Sequence, residues 1–123
     1  MMWFIKRVVV DEWDVDTAMQ EAEACDQEAQ TGQFRGPLHG VPMTVKEQFW
    51  VKGSKSTLNS NRFKDWEAPE DALVVKRLKD AGAIIIGKTN VAKDLLDYQV
   101  SGDIYPDGKS PYKHEYSPGG SSG

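Results

Sequence analysis

The sequence predicts an α/β fold, and three observations carry that prediction. Asp14 to Gln30 places apolar residues at helical steps of three and four. Pro69 to Ile86 runs from an amphipathic helix through a glycine turn into a continuous apolar strand, which is half of a βαβ unit. From Ser101 to Gly123 the composition changes: 13 of 23 residues are Gly, Pro or Ser, so regular structure gives way to loop. The expected division is an α/β core over 1–100 and a loop-rich tail over 101–123.

Each element follows from its residues in turn. Val8 to Val10 is β-branched and reads as a short strand. In the first helix, Val15, Ala18, Met19, Ala22, Cys25 and Ala29 share one face. Its start is signalled twice, by the capping-box spacing of Thr17 and Gln20 and by Asp14 or Asp16 as alternative caps, and Gly32 is the expected stop. Gly36-Pro37-Leu38-His39-Gly40-Val41-Pro42 is a rigid turn, and Met43 to Lys46 follows as a strand. Gly53 to Glu67 is polar and reads as loop. Pro69 to Ala81 is the clearest helix, with Pro69, Glu70 and Asp71 suited to its first turn and Gly82 to its end. Val74, Val75, Leu78 and Ala81 line one side of it. Ala83 to Ile86 is apolar at every position, the pattern of a parallel strand covered on both faces. Val91 to Tyr98 reads as a short helix starting at Thr89 or Asn90. Three or so strands are expected, with Met43–Lys46 beside Ala83–Ile86 in a mixed or parallel sheet.

Composition narrows the function classes. At 123 residues the chain is long enough for one modest core, burying roughly 65–70% of its unfolded surface. The net charge of −4 argues against nucleic acid as the main partner, because phosphate binding needs clustered positive charge. One cysteine excludes an internal disulfide framework and fits a reducing compartment. No apolar run approaches the roughly 20 residues of a membrane helix or the roughly 7–15 of a secretory signal. A cytoplasmic protein without membrane or nucleic-acid partners is expected.

Most candidate motifs have plainer readings. Gly82 to Thr89 satisfies the letters G-x-x-x-x-G-K-T of a phosphate loop, but Ala and three Ile at its centre favour an extended strand over the curl that an anion nest requires. His39 and His114 lack ligand-spaced partners, so both read as turn histidines and no metal is expected. Cys25 reads as a small core residue, and the tryptophans at 3, 13, 50 and 66 as packing residues. Two features remain: Lys46 at the end of an apolar strand, and a serine pair in a glycine cradle at Pro118-Gly119-Gly120-Ser121-Ser122-Gly123.

Together these two blocks are specific. Gly36 to Glu47 resembles the lysine-bearing block of the amidase signature family, in which G-P-L-x-G-[IV]-P leads into a strand ending in lysine. Val51-Lys52-Gly53 with Ser56-Thr57, Asp71 to Asn90, and Asp97-Tyr98-Gln99 also look like family segments, and Pro118 to Gly123 resembles the start of its Gly-Gly-Ser-Ser-Gly-Gly signature. The resemblance runs from about Val8 to the last residue.

The resemblance implies a partial amidase-signature fold and cleavage of an amide by a Ser–Ser–Lys triad, with no cofactor and a small-molecule amide as substrate. It maps the catalytic lysine onto Lys46 and the bridging serine onto Ser121. Ser122 becomes a supporting hydrogen bonder, and Gly119 and Gly120 let substrate approach the backbone. A lysine serves as base near neutral pH only when desolvation favours its neutral form, and Val41, Met43 and Val45 are expected to wall it. The family's nucleophilic serine lies a couple of dozen residues beyond the bridging serine and has no counterpart in this sequence. The chain thus reads as an internal fragment, inactive alone.

In the family the bridging serine follows a cis peptide bond. With its enclosing elements absent, the tail from Ser101 is expected to be poorly ordered and Gly120–Ser121 trans. Glu47 stands where the family usually has Asp, and Asp107 to Ser117 departs from the usual segment, so substrate preference does not carry over. Two alternatives stand beside the amidase reading. One is the glutamine-hydrolysing subunit of a tRNA-dependent amidotransferase, against which Asp97-Tyr98-Gln99 leans. The other is a non-catalytic α/β module that binds a partner, or itself, through an exposed apolar face.

Overall fold

A computed structural model describes residues 13–123. The expected strand at Val8–Val10 and Trp3 lie outside the described residues. The order of elements is helix α1 (Val15–Gln30), strand β1 (Pro42–Lys46), helix α2 (Leu73–Asp80) and strand β2 (Ile84–Thr89), with short 3-10 turns at Asn61–Phe63 and Lys93–Leu95. β1 and β2 form a parallel pair, with Lys46 opposite Thr89 and a register shift between Met43 and Thr44. The expected α/β class and the pairing of these two strands are therefore observed. Among the described residues the sheet has two strands rather than three.

α1 starts where its cap dictates. Asp14 accepts from the Thr17 amide at 3.1 Å and from the Thr17 hydroxyl, which selects Asp14 over the Thr17–Gln20 alternative. Its apolar face is less covered than the periodicity implies. Cys25 is buried, but Val15 and Met19 are 64% and 56% exposed.

The turn after α1 is laced to the α2–β2 corner. Leu38 and Gly40 donate their amides to the carbonyls of Ala81 and Gly82, and Ile84 donates to Val41. This lacing delivers the chain into β1 alongside β2.

The second helix begins later than expected, at Leu73 instead of Pro69. Ala68 and Ala72 donate their amides to Ser54 and Trp50, so the 68–72 run pairs with the 50–54 loop instead of coiling. Asp71 accepts from the Lys52 amide at 2.8 Å and from Lys79 at 2.9 Å, pinning that crossing. Tertiary backbone pairing thus outweighs the first-turn signals.

The core is a cluster of Val45, Val51, Val75 and Ile85, against which Trp13, Met43, Phe49, Ala72 and Leu78 pack. α2 contributes Val75 and Leu78 to it, while Val74 is 46% exposed. α1 packs against β2. Trp13 is a packing residue as expected, whereas Trp50 and Trp66 form a tilted pair at 5.7 Å nearer the surface. Among the described residues no helix is long and apolar enough to cross a membrane.

The segment 91–98 is not the expected helix. It makes only the 3-10 turn, because Asp94 and Leu95 sit at φ +51° and +64° and break any continuing helix. The backbone instead donates outward, from Lys93 to Ser101 and from Asp94 to Leu58.

Candidate functional site

Lys46 closes β1, and its ammonium donates to Ser121 Oγ at 2.7 Å across 75 residues of sequence. Strand alternation separates Lys46 from its neighbour: Val45 enters the core, so Lys46 emerges on the opposite face. The expected wall of Val41, Met43 and Val45 is therefore not what surrounds Lys46. Met43 and Val45 serve the core, and Val41 is 40% exposed. What meets Lys46 is the Ser121 segment.

That segment is tied to the end of β2. Ala92 donates to the Ser121 carbonyl at 3.2 Å, Val91 and Ser122 form an antiparallel bridge, and Gly123 donates to the Asn90 carbonyl at 2.8 Å. The tail expected to be loose is thus held by specific backbone bonds on either side of Ser122. The Gly120–Ser121 peptide is cis, which corrects the expected trans bond. Ser122 takes part through its backbone. Gly119 adopts φ +92°, and a Cβ at Gly120 would overlap the Tyr98 carbonyl. Gly120 is accordingly a packing requirement and Gly119 a conformational one, whatever else they do.

Glu47, next after Lys46, is fully buried. Its carboxylate accepts from the Thr57 amide, the Thr57 hydroxyl at 2.9 Å, the Leu58 amide at 3.0 Å and the Tyr105 hydroxyl at 3.4 Å. The longer carboxylate at this position fits by capping the 57–58 turn. Lys88 is the second buried charge. It donates to the Lys55 carbonyl and Ser56 hydroxyl, each at 2.6 Å, and to Ser54 at 3.3 Å. The phosphate-loop letters are thereby explained away: Lys88 lies within β2 and braces the 54–56 loop.

Folding also gathers groups that sequence spacing keeps apart. Cys25, Glu28 and His39 have ligand-type atoms within 4.8 Å of one another. His39 nevertheless has both ring nitrogens engaged. Nε2 lies 2.9 Å from the Cys25 carbonyl, and Nδ1 accepts from the Arg35 amide at 3.0 Å. Arg35 grips Glu28 through two 2.8 Å bonds and holds its carboxyl below the usual range. The expectation of a turn histidine describes His39, and the structure adds that both its ring nitrogens are engaged. His114 lies in the exposed tail.

Comparison with known proteins follows the same division of the chain. The family model described as Amidase matches residues 9–123. The A subunit of the glutamyl-tRNA(Gln) amidotransferase of Moorella thermoacetica is 38% identical over 108 residues, and that of Methanococcoides burtonii is 39% identical over 108 residues. Each alignment covers 88% of this chain and 22% of the relative, so the chain spans about a fifth of these proteins. Among solved structures, the native peptide amidase of Stenotrophomonas maltophilia superposes with TM-score 0.77 at 32% identity, covering 94% of this chain and 24% of that one. The crystal structure of an amidase superposes with TM-score 0.82 at 31% identity, covering 98% of this chain and 27% of that one. A match that spans the turn into β1, both strands and the glycine-serine tail leaves one assignment: the chain belongs to the amidase family.

Proposed function

We propose that this chain supplies the lysine–serine half of an amide-hydrolysing site, with Lys46 as base and Ser121 as bridging serine. The observation that carries this is the 2.7 Å bond from Lys46 Nζ to Ser121 Oγ, made between the two blocks that the family resemblance singles out. The proposed reaction needs Lys46 as its free amine, which takes a proton from Ser121 as Ser121 takes one from a nucleophilic serine. The family resemblance gives that serine no counterpart among these 123 residues. Its oxygen attacks the carboxamide carbon, and the same relay returns a proton to the departing ammonia or amine. Water then releases the carboxylate from the acyl-serine. A two-group relay of this kind activates an otherwise weak hydroxyl. Gly119, Gly120 and Ser122 border the path of a small carboxamide.

The test is complementation. The chain is mixed with a polypeptide corresponding to the remaining part of an amidase-signature enzyme, and amide hydrolysis is followed by ammonia release. Restored hydrolysis that falls by about 100-fold or more with Lys46→Ala supports the reading, since a positioned base is worth on that order. Restored hydrolysis indifferent to Lys46 overturns it.

The curated relatives favour a second reading. Those named above are A subunits of glutamyl-tRNA(Gln) amidotransferases. In that case the amide is glutamine, and hydrolysis requires the other subunits of a tRNA-dependent amidotransferase. Hydrolysis of simple carboxamides without such subunits separates the first reading from the second.

A further inference from the structure

We infer that Asn59 is a positioning residue that sets Ser121 against Lys46, an inference that rests on the relay reading above. Asn59 is fully buried, and it has the left-handed backbone conformation, φ +49°. Its side chain is used at both ends. Nδ2 donates to the Val91 carbonyl at 3.0 Å and to Asn90 Oδ1 at 3.3 Å. Oδ1 accepts from the amides of Ile104 and Tyr105 at 3.0 and 2.9 Å. Its own carbonyl accepts from the Asp103 amide.

These bonds join three stretches of chain at one point: the loop after β1, the segment after β2, and the tail. The segment they grip, Asn90–Val91, is the one whose backbone carries Ser122 and Gly123 and which continues to the Ala92 amide on Ser121. Asn90 Nδ2 extends the clamp to the Pro106 carbonyl at 2.8 Å. Tyr105, whose amide Asn59 holds, donates its hydroxyl to Glu47, the residue that follows Lys46. Asn59 thus touches neither Lys46 nor Ser121 but holds the backbone on which Ser121 rides. A buried amide with every donor and acceptor spoken for specifies one arrangement, because any shift strands a polar group away from water.

Two substitutions test this independently. Asn59→Gly removes the amide while keeping a residue at ease at positive φ. Gly102→Ala leaves Asn59 in place but drives a Cβ into its Cγ and Nδ2. The full chain is acetylated with limiting acetic anhydride, and the labelling rate of each lysine is read by peptide mass spectrometry. Exposed Lys64 and Lys109 are the internal references. Both variants are expected to raise Lys46 labelling by about three- to tenfold, the range for one lost net hydrogen bond. Lys64, Lys109 and the hydrogen-exchange protection of the Val75 and Ile85 amides stay unchanged. Unchanged Lys46 labelling in both variants overturns the proposal. So does core protection that falls in step with Lys46 labelling, which makes Asn59 a general stabiliser. Because labelling reads the Lys46–Ser121 contact without hydrolysis, this outcome and the complementation result fail or succeed separately.

Discussion

Lys46 and Glu47 are adjacent residues with opposite surroundings. The strand ends between them, so Lys46 meets Ser121 while Glu47 turns inward to cap Thr57 and Leu58. Removing the carboxylate leaves the buried Thr57 amide and the part-buried Leu58 amide without acceptors. Glu47→Ala is therefore expected to cost about 3 kcal/mol of stability, at roughly 1–3 kcal/mol for each stranded donor, measured as a lowered urea midpoint. A midpoint within experimental error of the parent chain contradicts that account. At this scale the sequence, by residue type and motif order, singled out Lys46 and Ser121, whose side chains meet at 2.7 Å. It was silent on Asn59, since an asparagine in a polar loop carries no signal of burial. Nor does spacing reveal that Cys25, Glu28 and His39 converge, because the turn that folds His39 back is set by bonds to Ala81 and Gly82.

Among the elements, what was legible is what local chemistry decides. A cap at the start of α1, with Asp14 among its candidates, the end of β1 at Lys46 and the apolar run of β2 all follow from neighbouring residues. The late start of α2 and the broken 91–98 segment do not, because both depend on backbone partners distant in sequence. Loop clasps made this way have a pH signature. Asp103 accepts from the Asn61 amide and from Lys93, and these bonds lower its pKa below the ordinary carboxylate value. A depressed folded pKa means that its contribution is complete above the unfolded value of about 4 and is lost as pH falls through the folded one. Hydrogen exchange of the Asn61 amide, corrected for intrinsic rate, is expected to speed up only below pH about 4. Asp103→Asn is expected to remove that step. Protection that declines steadily from neutral pH contradicts the assignment.

For the molecule as a whole, the small parallel sheet and its two helices leave many large apolar side chains uncovered. Phe34 is 68% exposed, Leu73 66%, Leu96 87% and Tyr98 90%. Isolated apolar residues on a surface are ordinary, but this density fits a body that ordinarily packs against more protein. Self-association is the expected behaviour of the chain alone: the weight-average mass in sedimentation equilibrium rises with concentration. A monomer at every concentration, with no binding of a hydrophobic dye, excludes it.

The bond between Lys46 and Ser121 is also the closing of a circuit. Joining ends 75 residues apart in a single step costs conformational entropy that grows with the logarithm of the contour, about 0.6 kcal/mol per doubling. The parallel pairing of Lys46 with Thr89 and the bridge from Val91 to Ser122 divide that contour into shorter arcs. The shortest route to the finished ring assembles the strands first and threads the tail home last.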